Sequence, residues 1–521
     1  MARITPRASF WAWSAVAGVV SAAVFLAVAE ILSLVFARDG SPILAVGGFV
    51  IDIVPQPFKE FAIETFAEYD KIALLVGLGL AVVIASALAG IVQFARPPLG
   101  LVAFTVAGVL SGAAVLTRAG ATFISVIPTV TATVSACVIV RLLVARLWTW
   151  AHSTTRENSQ AGGVDRRAFV RLTALAGLSA VIVGAGARVA TVATSSIEAV
   201  RKALTLPTPT TTVTIPEGAQ LDVPGLSPLI TSNADFYRVD TALTVPSIDP
   251  ETWKLTIDGM VGERIELSFD DLVAMGVDEY AITLTCVSNE VGGDLLGNAI
   301  WLGIPLRKVL ERAAPASDAD MVLSRSVDGY TASTPLSALV DDDLDAILAI
   351  GMNGEPLPLE HGFPVRMVVP GLYGYVSATK WLTQLTVTTF AQDEAYWTPR
   401  GYSAQAPIKF SSRIDTPRPG TPINAGRVPV AGMAWAQTVG IDRVEVRIDD
   451  GDWQPATLST PINKNTWVQW FIEWDATPGT HYLTVRAVNV NGDVQTEERA
   501  PIAPDGSSGW QRTLVTVTDA N

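Results

Sequence analysis

Two cysteines and three histidines are all that 521 residues carry. So few ligating side chains exclude a protein-held iron–sulfur cluster. A bis-histidine haem within the long apolar runs is excluded too, because His152 lies just beyond the fourth of them and the others hold no histidine. Cations are scarce as well: 36 Lys and Arg stand against 50 Asp and Glu, a formal net charge of −14. An acidic surface repels polyphosphate, so no nucleic-acid partner is expected. Charged residues of both signs make up 17% of the chain and hydrophobic residues 49%. A chain this long is expected to hold about three or four folding units.

The missing charge is concentrated. Residues 10–29, 72–95, 97–117 and 119–140 contain no Asp, Glu, Lys or Arg. Each run approaches the ~20 residues that cross the hydrocarbon core of a bilayer. A fifth run, 172–187, stops at Arg188 and resumes as VATVATSSI. With Arg188 snorkelling toward an interface it spans as well, so five membrane helices are predicted. Arg3 and Arg7 precede the first run, Arg96 follows the second, and Arg141, Arg146, Arg156, Arg166, Arg167 and Arg171 lie between the fourth and fifth. The first loop is mostly acidic. Positive-inside bias then puts the N-terminus in the cytoplasm and everything after about Ile197 outside it. Cys137 falls inside the fourth run and Cys286 outside the membrane, so the two cannot form a disulfide. Cys286 is thus a free thiol in an oxidising compartment.

Before the fifth run stands VDRRAFVRLTALAGLSAVIVGAGA. Paired Arg, then Phe, then a weakly apolar stretch resembles a twin-arginine export signal. Plain positive-inside flanking is the other reading. Residues 194–232 are rich in Pro and Thr, as in TLPTPTTTVTIPEGAQLDVPGLSP, and read as an extended tether. Over 233–405 strands and short helices alternate without regular βαβ spacing: ETWKLTIDGMV, FPVRMVVPG and WLTQLTVTTF as strands, SFDDLVAMG, IPLRKVLERAA and TPLSALV as helices. That pattern is α+β. Over 406–521 short alternating strands are bounded by Gly, Asp and Asn turns, including Asn491-Gly492, with no helix signal. An immunoglobulin-like β-sandwich is expected there. The fold class is therefore a five-helix membrane bundle over 1–193, a tether, an α+β domain and an all-β domain.

The stretch AITLTCVSNEVGG alternates in period two up to Cys286, then turns polar and Gly-rich. Cys286 is either a packed small hydrophobe or a thiolate offered to a metal or substrate. His361 beside Gly362 can be structural or an anion donor. Arg366 can pair with a carboxylate or fork a phosphate, and Lys380 can be a solvated charge or a ligand. Asp328-Gly329 is an ordinary turn or a contact presented on one.

Together these stretches resemble the sulfite oxidase family of molybdopterin oxidoreductases. LTCVSNEVGGDLLGNAIWLGIPLRKVL resembles the segment that carries the molybdenum cysteine, HGFPVRMVVPGLYGYVSATKWL the second signature, and FYRVDTALTVP the first pterin segment. The similarity runs over about 234–517. It implies a sulfite-oxidase-type molybdopterin domain over 233–405 and a dimerisation domain over 406–521. Cys286 would ligate molybdenum. His361, Arg366, Ser377, Thr379 and Lys380 would hold the cofactor, with Asn289 in the Cys-x-x-Asn motif, Tyr237, Asp240 and Thr241 in the first segment, and Asp328 and Tyr330 in SVDGYTAS. Trp301 would pack over the metal and Tyr402 would face it.

The pattern departs from the family in charge. Two arginines commonly follow Cys-x-x-Asn; here those positions are Glu290 and Val291. The Arg-Asn-His triplet common in the first segment reads Asp240 and Thr241, with Arg238 out of register. A neutral small-molecule substrate, a sulfoxide or N-oxide, is expected in place of dianionic sulfite. The alternatives are a sulfite dehydrogenase and a non-catalytic surface module. The family's haem domain is missing, so neither haem nor iron–sulfur is expected. Electrons must pass to or from a separate partner, a cytochrome or a quinone-linked protein. The catalytic part is expected outside the cell membrane, with a homodimer formed through the last domain.

Overall fold

The computed structural model describes residues 8–36, 42–54, 65, 70–117, 121–153, 167, 169–171, 173–178 and 192–519. The chain divides into two compact units, one comprising residues 1–196 with 242–244, the other 197–241 with 245–521.

The first unit is a helical bundle: α1 (Ala8–Phe36), α2 (Pro42–Ile53), α3 (Asp70–Ala95), α4 (Leu99–Leu116) and α5 (Ile127–Ser153). Among the described residues, four helical stretches, in α1, α3, α4 and α5, are long and apolar enough to cross a membrane. Small residues let the helices approach: a side chain at Gly18 would collide with the Ser86 backbone, and one at Gly90 with that of Ser14. Phe94 and the ring of Trp11 meet edge to face with centroids 5.8 Å apart, and Trp13 and Phe169 do so at 5.7 Å.

Two sequence expectations change here. The stretch 42–53, read as part of an acidic loop, is helical, since Asp52 is its one charge. The fourth run does not end near residue 140: α5 continues through Arg141 and Arg146, whose stems can lie along an apolar face, and it takes His152 into its last turn. Of the fifth predicted span, Phe169–Leu178 is a short apolar helix, and residues 179–191 lie outside the described ones.

In the second unit, the strands to residue 388 are β1 (Lys254–Gly259), β2 (Ile265–Ser268), β3 (Asp278–Thr285), β4 (Leu296–Pro305), β5 (Met321–Ser326), β6 (Thr331–Pro335), β7 (Ile347–Met352), β8 (Glu355–Pro356), β9 (Arg366–Val368) and β10 (Leu382–Thr388). They build two sheets, β2-β1-β10-β5-β6 and β3-β4-β7-β8, with β9 on β7. Only β1 and β10 pair in parallel within them. Buried Leu255, Ile257, Leu302, Ile304, Leu348, Ile350, Leu385 and Val387 form the core under these sheets. The three expected short helices are present as Phe269–Val273, Leu306–Glu311 and Leu336–Val340. The first has a capping box, Ser268 accepting from the Asp271 N–H while the Asp271 carboxylate accepts from Ser268.

The tether reading of 194–232 is corrected. Its start is a helix, Val192–Ala203. The rest is hydrogen-bonded to the domain: Thr210 N donates to Val277 O at 2.9 Å, Thr211 N to Asp278 at 2.9 Å and Val213 N to Glu279 at 3.0 Å. Pro and Thr supply extended backbone that packs along an edge as readily as it hangs free.

The remaining strands are β11 (Ser411–Thr416), β12 (Ile423–Asn424), β13 (Gly426–Trp435), β14 (Ile441–Ile448), β15 (Gln454–Pro455), β16 (Thr457–Leu458), β17 (Val468–Ala476), β18 (Gly479–Asn489) and β19 (Gln511–Thr518). They form a four-stranded sheet, β11-β13-β17-β16, and a five-stranded one, β12-β19-β18-β14-β15. Residues 511–518 alternate buried and exposed without a break. Trp470, Trp474, Val446 and Val485 lie in the shared core. At Asn491-Gly492 the chain turns, with the Gly492 N–H on Asn489 O at 2.9 Å.

Candidate functional site

β3 ends at Thr285, and Cys286 is the first residue beyond it. The loop that follows is tied back on itself. Cys286 N donates to Leu295 O at 2.9 Å, Asn289 N to Cys286 O at 3.1 Å, and Leu295 N to the Asn289 side-chain oxygen at 2.9 Å. Asn289 therefore fixes the loop rather than facing a ligand. Cys286 is 7% exposed and lines a partly open cleft. Burial pushes its thiol up, against hydrogen bonds from Ser288 that favour the thiolate. A thiol held at a cleft wall in this way becomes a thiolate once a cation binds it.

The lining also carries cationic side chains. The motif HGFPVR puts His361 at the end of a single 3₁₀ turn and Arg366 at the start of β9. Gly362 between them has φ of 110°, and a side chain there would stand 3.0 Å from Arg366 Cβ and 3.1 Å from Lys380 Cβ. Its lack of one lets His361, Arg366 and Lys380 converge. His361 Nε2 donates to Asn233 O at 3.1 Å; burial, then the Arg366 charge, push its pKa down to about 3, so the ring is neutral. Arg366 donates to three backbone carbonyls, His361 O at 3.1 Å, Met367 O at 3.3 Å and Ala378 O at 3.4 Å. Burial pushes its pKa down to about 10. Lys380 Nζ reaches Asp240 at 2.7 Å and Glu360 O at 3.0 Å, and burial pushes its pKa down to about 8 against the pull of Asp240.

Among the described residues no carboxylate pairs with Arg366, although it is 5% exposed. A buried guanidinium satisfied only by carbonyl dipoles is a costly arrangement unless an anion joins it. Lys380 has its own counterion in Asp240, which Arg238 also holds at 3.0 Å. The cleft thus offers one thiol and an uncompensated cation in the same lining. That donor set fits a metal cofactor carrying a phosphate.

The residues expected from sequence separate into two groups. Cys286, Tyr237, Asp240, Thr241, Asp328, His361, Arg366 and Lys380 all line the one cleft. Tyr330 lines it too and donates to Tyr375 O at 2.8 Å; burial pushes its hydroxyl pKa well up, as it does for Tyr237. Thr241 donates to Asp328 at 3.4 Å.

Five others do not reach the cleft with their side chains. Trp301 is fully buried with its N–H on Ile282 O at 3.0 Å, and Arg366 lies 5.1 Å over its ring, so it supports the arginine instead of covering a metal. The Ser377 hydroxyl donates to Leu372 O and Tyr373 O, both at 3.0 Å, and the Thr379 hydroxyl meets Ser324 Oγ at 2.7 Å. Asn289 is the loop fastener described above. Tyr402 packs behind the wall, 5.2 Å from Trp397 and 5.6 Å from Tyr375.

Sequence reading missed Phe236, Ser326, Tyr375, Trp381 and Trp397 in the lining. Phe236, Tyr375 and Trp381 lie inside the quoted motifs, so their neighbours were the signal. Ser326 opens the quoted stretch SVDGYTAS, so its neighbours Asp328 and Tyr330 were the signal there too.

Residues 242–397 match the oxidoreductase molybdopterin binding domain. The chain is 31% identical over 340 residues to human mitochondrial sulfite oxidase, covering 56% of this chain and 62% of that one. It is 27% identical over 310 residues to the inducible NADH nitrate reductase 1 of Glycine max, covering 47% of this chain and 34% of that one. The chain thus spans about three fifths of the length of the human sulfite oxidase and about a third of the nitrate reductase. Among solved structures, the sulfane dehydrogenase SoxCD of Paracoccus pantotrophus aligns with a TM-score of 0.49 and 23% identity, over 56% of this chain and 85% of that one.

Proposed function

We propose, from the premise that residues 242–397 are a molybdopterin-binding oxidoreductase domain of the sulfite oxidase family, that the chain is a membrane-anchored enzyme of two-electron oxygen-atom transfer. The observation that carries this reading is the convergence of Cys286, His361, Arg366 and Lys380 on one cleft from separate stretches of sequence. Cys286 would give molybdenum its protein thiolate, soft sulfur suiting that metal. Arg366 would take the cofactor phosphate as its missing counterion, with His361 donating beside it and Lys380 held ready by Asp240. Tyr237, Thr241 and Asp328 would contact the pterin. Ser377, Thr379 and Trp301 would act from behind, holding the wall and the arginine in place, and Tyr402 would brace Tyr375 and Trp397. Bound there, the cofactor supplies the redox chemistry; the protein orients it and selects the substrate.

Charge supports a neutral substrate, a sulfoxide or an N-oxide. Arg366 is the only arginine lining the cleft among the described residues, and in this reading the cofactor occupies it. Glu290 is exposed and outside the lining, so solvent screens it. The case against sulfite rests on absent arginines, not on repulsion by Glu290. Sulfite oxidation is the second reading, favoured by the 31% identity to a sulfite oxidase. In either reading the catalytic part lies outside the cytoplasm, electrons cross to a separate cytochrome or quinone-linked protein, and the immunoglobulin-like last domain forms a homodimer.

The test is metal analysis and pterin detection on the full chain from a host that makes the cofactor, then turnover with sulfite and with sulfoxides and N-oxides in parallel. Molybdenum and pterin in equal amounts, with turnover of the neutral panel, is the expected result. Turnover of sulfite alone selects the second reading, and absence of both metal and pterin overturns both.

A further inference from the structure

Period two along β5 puts Ser324 and Ser326 on the same face of the sheet. The Ser324 hydroxyl is satisfied, 3.3 Å from Ala332 O and 2.7 Å from Thr379 Oγ1. Ser326 differs. It is 2% exposed and lines the cleft, and its Oγ is sealed from solvent with no hydrogen-bond partner. Among the described side chains lining the cleft, no other polar atom is in that state. Its backbone is pinned: the N–H donates to Tyr330 O at 2.9 Å, and the carbonyl accepts from Gly329 N at 3.0 Å. The residue is therefore held in place by its backbone, and the unpaired hydroxyl is not the by-product of a slack loop. Folded proteins leave few buried hydroxyls unpaired, because the water lost on folding is then never replaced.

Resting on the function proposed above, we propose that Ser326 is a further cofactor-contact residue whose hydroxyl bonds the polar edge of the bound pterin heterocycle. Its neighbours suit that edge. Asp328, two residues on, is an acceptor that already holds Thr241 Oγ1 at 3.4 Å and Tyr330 N at 3.3 Å. Across the strand pair, Ser326 stands opposite Leu382, just past Lys380 and Trp381, which also line the cleft. A heterocycle with ring acceptors and amino donors can meet a hydroxyl in either sense, since Ser gives one donor and two lone pairs. Contact with the cofactor completes Ser326 as Thr379 completes Ser324.

The contrast between the two serines supplies the test. Full-length S326A and S324A are made in a host that supplies the cofactor and in one that cannot, and the thermal midpoint is read for both forms. The rate of pterin release is read for the loaded form. Cofactor-free S326A should melt at or above the wild type, because a methyl replaces an unpaired hydroxyl. Loaded S326A should release pterin about 3- to 10-fold faster, the span of one ordinary hydrogen bond. S324A should melt lower in both forms. Equal loss of midpoint in both forms of S326A, or release at the wild-type rate, overturns the assignment. A wild type that carries no pterin overturns the proposed function and this assignment together, and is recognised before any variant is compared.

Discussion

The Arg413 guanidinium donates to the Gly293 carbonyl at 2.9 Å, joining a β11 side chain to the loop that begins at Cys286. The same side chain holds Asp415 at 2.6 Å and Ser227 Oγ at 3.2 Å, and it is 8% exposed. Ser507 Oγ adds a second tie, donating to Asn289 O at 2.7 Å, and Gly292 lies against the Gln511 side chain. The last part of the chain therefore grips the loop that would present the metal ligand. R413M should lower stability by about 3–5 kcal/mol, because it strands Asp415 as a buried carboxylate and frees the Gly293 carbonyl. Denaturant titration of the purified protein measures it; a loss under about 1 kcal/mol would show that the pair is a bystander.

C286S separates ligation from packing. Serine nearly matches cysteine in size, so the fold should persist with a loss of about 1 kcal/mol or so from burying a more polar atom. Bound molybdenum should fall by at least about tenfold, because a serine hydroxyl is not a soft thiolate at neutral pH. Metal content and thermal midpoint are read on the same preparation. Full metal retention with an unchanged midpoint would reduce Cys286 to a packed residue.

How far the sequence carried this picture depends on what kind of fact was asked of it. Period two and capping chemistry gave the strand at Leu382–Thr388 and the helix after Ser268, since backbone pattern is local. Motifs gave Cys286, His361, Arg366 and Lys380. Alternation also says which residues share a face, but not how deep each one lies. Ser377 and Thr379 were read as ligands, yet their hydroxyls are spent on Leu372 O, Tyr373 O and Ser324 Oγ. Trp301 was read as a cover for the metal, yet it underlies Arg366. Those outcomes are set by the second layer of packing, which involves residues far apart in the chain. The Pro- and Thr-rich stretch was misjudged for a similar reason: its extended backbone was legible, and the edge that accepts it was not.

The four long apolar helices among the described residues predict how the protein fractionates. In a lysate the full chain should remain in the membrane pellet after washing at high salt and after alkaline carbonate, and should leave it only in detergent. Helices that cross the hydrocarbon core are not released by salt or alkali, which act on charge pairs at the surface. Recovery in the carbonate supernatant would count against spanning helices.

His361 makes a prediction about pH in the cofactor-free protein. Its folded pKa, about 3, lies below the ordinary 6.5 because burial and the Arg366 charge disfavour the imidazolium. The unfolded chain therefore takes up a proton below about pH 6.5 that the folded protein refuses. The stability contributed by the neutral ring is present above pH 6.5 and is lost as pH falls toward 3, by up to about 1.4 kcal/mol for each pH unit. Carboxylates titrate over the same range, so the wild type alone does not isolate the effect. H361Q keeps a donor for Asn233 O but cannot take up the proton. Denaturant titrations of both proteins at intervals from pH 7 to pH 4 should show the H361Q curve falling less steeply than the wild type below about pH 6.5. Parallel curves would mean that His361 protonates in the folded protein as readily as in water, and that its ring is not sealed beside Arg366.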